Sequence, residues 1–171
     1  MTTNKNFLTQ RDANGVSISE HSHAAPMLLL FLRHVGCPFC RRTLREVQQA
    51  RLDIEANGYT IGIVHMDSES TVIAALEKAG LADLPRFHDP DQVLYAALDV
   101  KRLPMRALFS PRTWTKGFEF GAKYGYSWPE SDPMQLPGAF LIDQGQVIAG
   151  HSSLYPAEPP DFRSLVSTPV R

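Results

Sequence analysis

The sequence FLRHVGCPFCRRTLR, at residues 31–45, carries the strongest pattern in this chain. An apolar run at residues 26–32, PMLLLFL, has the length of a buried β-strand and is followed by polar residues. A short turn leads to Cys37, and an amphipathic helix pattern begins before Cys40. A strand, a turn, a C-x-x-C motif and a helix in that order predict a thiol–disulfide site at the start of the helix.

Cys37 has the position of a helix cap, where a negative charge is favoured. The first backbone N–H groups of a helix lack partners inside it, and together with the helix dipole they stabilise an anion. Pro38 suits the first helical position, where its missing N–H costs nothing. We therefore expect a lowered pKa for the Cys37 thiol, with Arg33, His34 and Arg41 as candidates for tuning it. The simpler alternative for Arg33 and His34 is a loop at the end of a strand.

The spacing predicts different surroundings for the two sulfurs. One face of the predicted helix carries Cys40, Leu44, Val47, Arg51 and Ile54. We expect Cys40 to be buried at the head of this face, and Cys37 to lie one turn earlier at an open mouth. An accessible attacking thiol beside a buried resolving thiol permits a two-step exchange.

The same motif allows two alternatives to redox chemistry. A structural disulfide across two residues closes a very small loop and constrains little of the unfolded chain. A zinc site needs more ligands than the two cysteines of this chain, and the histidines lack the H-x3–5-H spacing of zinc ligands. We therefore favour redox use of the pair, with no metal and no cofactor, while inert thiols stay an alternative.

The composition excludes several classes of protein. The chain has 171 residues, of which 43% are hydrophobic and 20% charged, and this predicts a single domain over residues 1–171. A net charge of −1 argues against a nucleic-acid partner. The longest apolar run is too short for a membrane span, and residues 1–14 lack both periodicity and a secretory signal, so we expect them to be flexible. A C-x-x-C without a signal predicts a cytoplasmic protein.

Strand and helix patterns alternate along the chain, which predicts an α/β fold with parallel strands. Residues 15–19 are interpreted as a short strand and residues 21–23 as a loop. Asp143 and the pair Gln144–Gly145 favour a hairpin turn. We expect strands at residues 27–33, 59–66, 84–88, 136–143 and 146–150, and helices at residues 38–56, 70–79, 89–99 and 161–166.

Residues 101–133 interrupt this alternation with an aromatic and basic insertion. A connection of this length is usually functional or disordered. The preferred interpretation is a surface excursion or short helix packed by its own aromatic side chains, and the alternative is a lid or partner surface beside the thiols. A continuous aromatic patch here would favour a homodimer. Arg102 and Arg106 are further candidates for reaching the site.

Two segments resemble a known superfamily. FLRHVGCPFCRRTLRE, at residues 31–46, resembles the strand–CxxC–helix segment of the thioredoxin superfamily, and most closely its peroxiredoxin-like (AhpC/TSA-type) branch. QLPGAFLIDQGQVIAGHSS, at residues 135–153, is similar to the second hallmark of that superfamily, a proline before a strand and then a hairpin. The resemblance spans residues 26–153 and implies a thioredoxin-like fold, a central mixed β-sheet flanked by helices.

The resemblance also implies roles for individual residues. Cys37 would attack the substrate, and Cys40 would resolve the resulting intermediate. Pro137 would be a cis-proline that faces the cysteines, and together with Gly36 and Pro38 it would shape the substrate groove.

The implied function is a thiol–disulfide oxidoreductase or peroxiredoxin-like antioxidant protein, with a disulfide or peroxide substrate. A dithiol reductant of the thioredoxin or glutathione type would restore it. One alternative is a peroxidase of hydrogen or organic peroxides, although His34 stands where a peroxiredoxin has a hydroxyl residue three positions before its peroxidatic cysteine, when counted from Cys37. A non-catalytic redox sensor or binding module is the alternative from a different class.

Overall fold

The computed structural model describes residues 5–104 and 111–167, and its centre is a mixed sheet of five strands. The strand order is β3-β2-β1-β4-β5, with β1, β2 and β3 parallel and with β4 and β5 antiparallel to their neighbours. This confirms the central mixed sheet that the resemblance implied. The strands are β1 (Met27–Phe31), β2 (Thr60–His65), β3 (Arg86–His88), β4 (Gly138–Asp143) and β5 (Gln146–Ser152).

Helices cover both faces of this sheet. Strand β1, MLLLF, is buried at every position, because alternate residues face two different apolar clusters. Leu28 and Leu30 lie in one cluster, whereas Leu29 and Phe31 lie in the other. The helices are α1 (Ile18–Ala24), α2 (Pro38–Ala56), α3 (Glu69–Ala79), α4 (Val93–Ala97), α5 (Pro111–Tyr124) and α6 (Phe162–Leu165).

Glycines follow the ends of helices α2 and α3. The backbone after α2 reverses at Gly58, with a φ of 85°, and α3 ends at Gly80, with a φ of 72°. A side chain is strained at such angles, whereas glycine adopts them freely. The hairpin between β4 and β5 likewise turns at Gln144 and Gly145, both of which have positive φ.

The prediction of a strand at residues 15–19 is wrong. Ser17 caps α1, and its side chain accepts a hydrogen bond from the Glu20 N–H while the Glu20 carboxylate binds the Ser17 N–H in return. This reciprocal pair is a capping box, which outweighs the alternating pattern around it. His21 and His23 therefore lie in a helix and not in a loop.

The described part of the N-terminal segment packs against the rest of the chain. Lys5–Thr9 form a short 3-10 helix, and Phe7 is only 3% exposed because it joins the cluster on one face of the sheet. Residues 1–4 lie outside the described part of the chain. Helix α4 is shorter than predicted, since Gln92 before it has a φ of 58° and cannot continue a right-handed helix.

The insertion at residues 101–133 contains α5, which packs against α2. The side chains at its start, and Arg106 with the other residues 105–110, lie outside the described part. None of the helices in the described ranges is long and apolar enough to cross a bilayer.

Candidate active site

Cys37 lies at the junction between the first strand and the long helix α2. Its backbone is extended, with φ −73° and ψ 128°, and Pro38 occupies the first position of the helix. The Cys37 N–H donates to the His34 carbonyl at 3.0 Å, which closes the turn after β1. Cys40 follows in the first turn of α2, so the structure brings the two cysteines together at the start of a helix.

Two donors surround the Cys37 sulfur. The Cys40 thiol hydrogen-bonds to it and is the largest cause of its low pKa, which lies well below the usual range for cysteine. Burial opposes this shift, and the positive charge of Arg33 reinforces it, because an Arg33 Nη1 donates to the sulfur at 3.3 Å. The same contact raises the pKa of Cys40 well above its ordinary value, together with burial. These opposite shifts favour the thiolate at Cys37 and the protonated thiol at Cys40.

The predicted direction of the Cys37 pKa is confirmed, but its main cause is different. The Cys37 side chain makes no capping hydrogen bond to the helix, and the Cys40 backbone N–H contributes less than the Cys40 thiol and the Arg33 guanidinium. Side-chain donors, more than the helix terminus, therefore stabilise the negative charge on this sulfur.

The prediction of an open mouth at Cys37 is wrong. Cys37 and Cys40 are each 2% exposed. The cover is α5, whose Phe120 ring packs edge-on against Phe39 with centroids 5.2 Å apart. The Arg42 guanidinium lies 5.1 Å from the centroid of the same Phe120 ring. The insertion thus lies beside the thiols, as its less favoured interpretation proposed.

Arg33 is held in place by hydrogen bonds to the segment that precedes β4. Its Nε donates to the Gln135 carbonyl at 3.1 Å, and an Nη2 donates to the Pro133 carbonyl. A guanidinium has five donors in a rigid plane, so Arg33 can bind both carbonyls and the sulfur together. Its orientation toward Cys37 is therefore set by the backbone 100 residues further along the chain.

Gly36 is required by a close approach of backbone. A Cβ at this position would lie 2.5 Å from the Ser127 carbonyl oxygen. The Ser127 N–H donates to the Gly36 carbonyl at 3.1 Å, so the segment after α5 lies directly on the turn before Cys37. Gly36 therefore leaves room for this segment because it has no Cβ.

Arg41 points away from the sulfurs, in contrast to its predicted role in tuning the pKa. Its guanidinium donates to the Val35 carbonyl at 3.1 Å, the Tyr124 carbonyl at 3.3 Å and the Ser127 hydroxyl at 3.0 Å. It therefore joins α2 to the end of α5 and is not among the main causes of the low Cys37 pKa.

His34 is buried beside the thiolate, with 3% of its surface exposed. Burial is the largest cause of its lowered pKa, and the Cys37 charge opposes that shift. Its Nδ1 atom has no hydrogen-bond partner among the described residues. A neutral imidazole with one free nitrogen next to a reactive sulfur can accept a proton or hold a substrate atom.

Pro137 differs from the expectation drawn from the resemblance. None of the described peptide bonds is cis, so the bond before Pro137 is trans. Pro137 lines a small crevice with Cys40, Arg33 and Phe39, and it does not line the larger cleft at Cys37. It therefore shares a crevice with Cys40 and not with Cys37.

A cleft of about 680 Å³ has Cys37 among the residues of its wall and is mainly apolar, although little of the Cys37 side chain is exposed in it. Its size is typical of sites for small molecules or for a short peptide segment. Pro38 lies in its wall, as expected, whereas Gly36 does not. The lining residues are Arg33, His34, Cys37, Pro38, Phe39, Leu103, Phe118, Gly121, Ala122, Tyr126, Pro129, Pro133 and Pro156.

Two buried residues that support the site were not identified from the sequence. Asp67 accepts a hydrogen bond from the Val35 N–H at 2.6 Å and another from the Ser131 hydroxyl at 2.5 Å. Tyr95 donates from its hydroxyl to the Leu32 carbonyl at the end of β1. Asp67 lies two residues after β2, so its place at the carboxyl edge of a parallel sheet is the signal that could have revealed it.

Other candidates from the sequence lie elsewhere. Arg102 pairs with Asp132 at 2.6 Å and does not reach the thiols, while Asp143 ends β4 at the opposite edge of the sheet. Within residues 5–104 and 111–167, no group of three or more histidine, cysteine, aspartate or glutamate side chains could hold a metal ion.

The sheet order and the placement of the cysteine pair define a thioredoxin-like fold of the peroxiredoxin type. Peroxiredoxin Q from Xanthomonas campestris aligns with 89% of this chain and 82% of its own, with a TM-score of 0.63 and 18% identity. Peroxidoxin BcpB from Mycobacterium tuberculosis aligns with 92% of this chain and 86% of its own, with a TM-score of 0.62 and 16% identity. At these identities the likeness concerns the fold.

The sequence assigns the family. It matches the AhpC/TSA family over residues 3–151, and the chain therefore belongs to the AhpC/TSA family. Homologues in this family are thiol peroxidases and oxidoreductases. A prostamide/prostaglandin F synthase from Salmo salar is 28% identical over 97 residues, or 57% of this chain. This chain spans about half the length of that relative, 48%.

Proposed function

We propose that this protein is a thiol–disulfide oxidoreductase in which Cys37 is the nucleophile and Cys40 the resolving thiol. The observation that carries the proposal is the pair of donors on the Cys37 sulfur, the Cys40 thiol and the Arg33 guanidinium at 3.3 Å. Only a thiolate attacks a disulfide at a useful rate, and these donors favour the thiolate. Membership of a family of thiol enzymes supports the same chemistry.

The exchange takes two steps. The Cys37 thiolate attacks one sulfur of the substrate disulfide, the substrate S–S bond breaks, and a mixed disulfide forms as the first thiolate leaves. Cys40 then gives its proton to the released thiolate and attacks the Cys37 sulfur, which closes an intramolecular disulfide. The second substrate sulfur leaves as a thiolate and takes a proton from water. Two electrons pass to the substrate. A dithiol reductant of the thioredoxin or glutathione type returns two electrons and two protons to the pair.

A second candidate, the reduction of organic peroxides, is favoured by the apolar cleft. A hydrogen peroxide molecule needs no apolar wall, whereas a peroxide on a hydrocarbon body buries apolar surface at Phe118 and Leu103. The Cys37 thiolate would attack the peroxide oxygen, release an alcohol after proton transfer and become a sulfenic acid. Condensation with the Cys40 thiol would then release water and form the same disulfide.

The wider setting of this proposal follows from the sequence. A C-x-x-C pair that must be reduced in each cycle suits a reducing compartment, and a cytoplasmic location is part of the proposal.

Exposed aromatic side chains at Phe118, Tyr126 and Trp128 border the cleft and its adjoining loop. A homodimer that forms through these three aromatic side chains stays a prediction.

Mass spectrometry of each cysteine tests both candidates together. The reduced protein is treated with limiting oxidised glutathione and, separately, with limiting cumene hydroperoxide, using the wild type and the Cys40→Ser variant. A mixed disulfide at Cys37 in Cys40→Ser supports exchange, and a sulfenic acid at Cys37 supports peroxide reduction. Modification at Cys40 alone in the wild type, or at neither sulfur, would contradict the assignment of Cys37 as nucleophile.

A further inference from the structure

A second large cavity lies between α2, α3 and the end of α5. Its volume is about 770 Å³, within the range of small-molecule sites. Neither cysteine lines it, and it shares no lining residue with the cleft at Cys37. The lining residues are Val35, Arg41, Leu44, Arg45, Gln48, Thr71, Ala74, Ala75, Lys78, Ala79, Lys123, Tyr124 and Ser127.

All the charged residues that line this cavity are cationic. Four of its lining residues are cationic, namely Arg41, Arg45, Lys78 and Lys123, and none is acidic. Arg45 and Lys78 are exposed and form no ion pair or hydrogen bond with any described residue. Among the described residues, the Lys123 ammonium contacts only the ring of the adjacent residue Tyr124, at 5.5 Å from the ring centroid. Cations gathered at one concave surface without carboxylates attract anions.

The carboxylate at the edge of the cavity does not neutralise these cations. Glu130 accepts hydrogen bonds from the hydroxyls of Thr71, at 2.8 Å, and Ser68, at 3.0 Å. Its two oxygens are therefore directed at hydroxyl groups on the first turn of α3. In contrast, Lys78 lies two turns further along α3, near its end.

The walls between the cations are small and apolar. Ala74, Ala75 and Ala79 of α3 face Leu44 of α2 across the cavity. Alanines at this spacing lie on one side of a helix and leave room where longer side chains would meet. A ligand that fits such walls has an apolar or flat body in addition to its charged groups.

We propose that this cavity binds a small organic anion that carries at least two phosphate or carboxylate charges on a partly apolar body. Arg45 and Lys78 hold the charges from opposite walls, Lys123 holds them from the end of α5, and the alanine wall receives the body. Bidentate and charge-assisted hydrogen bonds of this kind are the strong ones in proteins.

Isothermal titration calorimetry with three probes tests this proposal. ADP carries phosphate charge on a ring body, citrate carries carboxylate charge, and adenosine is the uncharged match for ADP. We expect saturable binding of at least one anion at micromolar to millimolar concentration, weakened by salt, and no such binding of adenosine. Binding of ADP alone would identify phosphate, and binding of citrate alone would identify carboxylate. If neither anion binds, or if adenosine binds as tightly as ADP, the proposal is wrong.

Variants locate the binding. The double variant Arg45→Gln, Lys78→Gln removes the two free cations from exposed positions, and we expect an affinity about tenfold or more weaker. Arg163→Gln removes an exposed cation outside the cavity and should leave the affinity unchanged. Equal affinity in the double variant would overturn the site. Cys37→Ser should keep full binding, and loss of binding there would assign the probe to the thiol cleft.

Discussion

The Arg33 guanidinium donates to the Cys37 sulfur at 3.3 Å while its other nitrogens donate to the carbonyls of Gln135 and Pro133. The charge that favours the thiolate is therefore held by the segment before β4. Any displacement of that segment changes the ionisation of the sulfur without touching the C-x-x-C motif.

Arg33→Met should raise the pKa of Cys37, because a positive charge and a donor to the thiolate are lost. We expect a smaller increase than the loss of the Cys40 thiol would cause, since that thiol is the larger cause of the low pKa. Thiolate absorbance in the ultraviolet, followed as a function of pH in the Cys40→Ser background, measures it. Arg45→Met, which removes a cation from α2 that has no contact with the sulfur, is the matched control. An unchanged pKa in Arg33→Met would show that the guanidinium does not stabilise the thiolate.

Cys40→Ala and Cys40→Ser should differ in the pKa of Cys37. The Cys40 thiol is the largest cause of the low Cys37 pKa, and serine keeps a donor at this position whereas alanine has none. We expect the pKa to be higher in Cys40→Ala. The pH dependence of alkylation by iodoacetamide gives both values. Identical profiles would contradict a hydrogen bond from residue 40.

The stability of the reduced protein should depend on pH through Cys37. Its pKa is lowered on folding, so the folded state binds fewer protons than the unfolded state at pH values between the folded pKa and about 8.5. The free energy of unfolding should therefore rise with pH up to about 8.5, and this gain is lost as the pH falls through the folded pKa. Above about 8.5 the raised pKa of Cys40 acts in the opposite direction. Urea unfolding of wild type and Cys37→Ser, both reduced, isolates the contribution, which should be absent in the variant.

Gly36→Ala should destabilise the protein by about 1–3 kcal/mol, because the new Cβ would lie 2.5 Å from the backbone oxygen of Ser127. Gly121→Ala is the matched control. A Cβ at Gly121 meets nothing within 4 Å, and alanine favours a helix, so this change should be neutral or stabilise by up to about 1 kcal/mol. Thermal and urea unfolding measure both. Equal stability of the two variants would contradict the close contact at Gly36.

Asp67→Ala should cost about 2–3 kcal/mol of stability, because the buried Val35 N–H and the Ser131 hydroxyl both lose their acceptor. The turn before Cys37 should also loosen, which hydrogen exchange at Val35 would detect. Asp83→Ala, at an exposed position that pairs with Arg51, is expected to cost much less. Protection at Val35 equal to that in the wild type would refute the role of Asp67.

The local parts of this site could be predicted from the sequence. The strand before Cys37, the helix after it and the nearness of the two sulfurs depend on neighbouring residues, whose periodicity and turn signals are visible in the chain. In contrast, the apolar cluster that contains Cys37 is completed by Phe120, which is 83 residues away and belongs to a helix with no partner suggested by its own pattern.

Long-range contacts also explain the other errors. The bond before Pro137 is trans, and no local signal distinguishes the two isomers. Arg41 directly follows Cys40, so the sequence allows it to approach the sulfur. In the structure its guanidinium donates instead to the carbonyl of Tyr124 and the hydroxyl of Ser127.

The bond between Ser127 and Gly36 has a consequence for access to the thiols. Because Ser127 and Arg41 join the end of α5 to the turn that carries Cys37, a displacement of α5 that uncovered the sulfur would also break these hydrogen bonds. A substrate too large for the cleft would therefore loosen the turn that carries Cys37 as it entered.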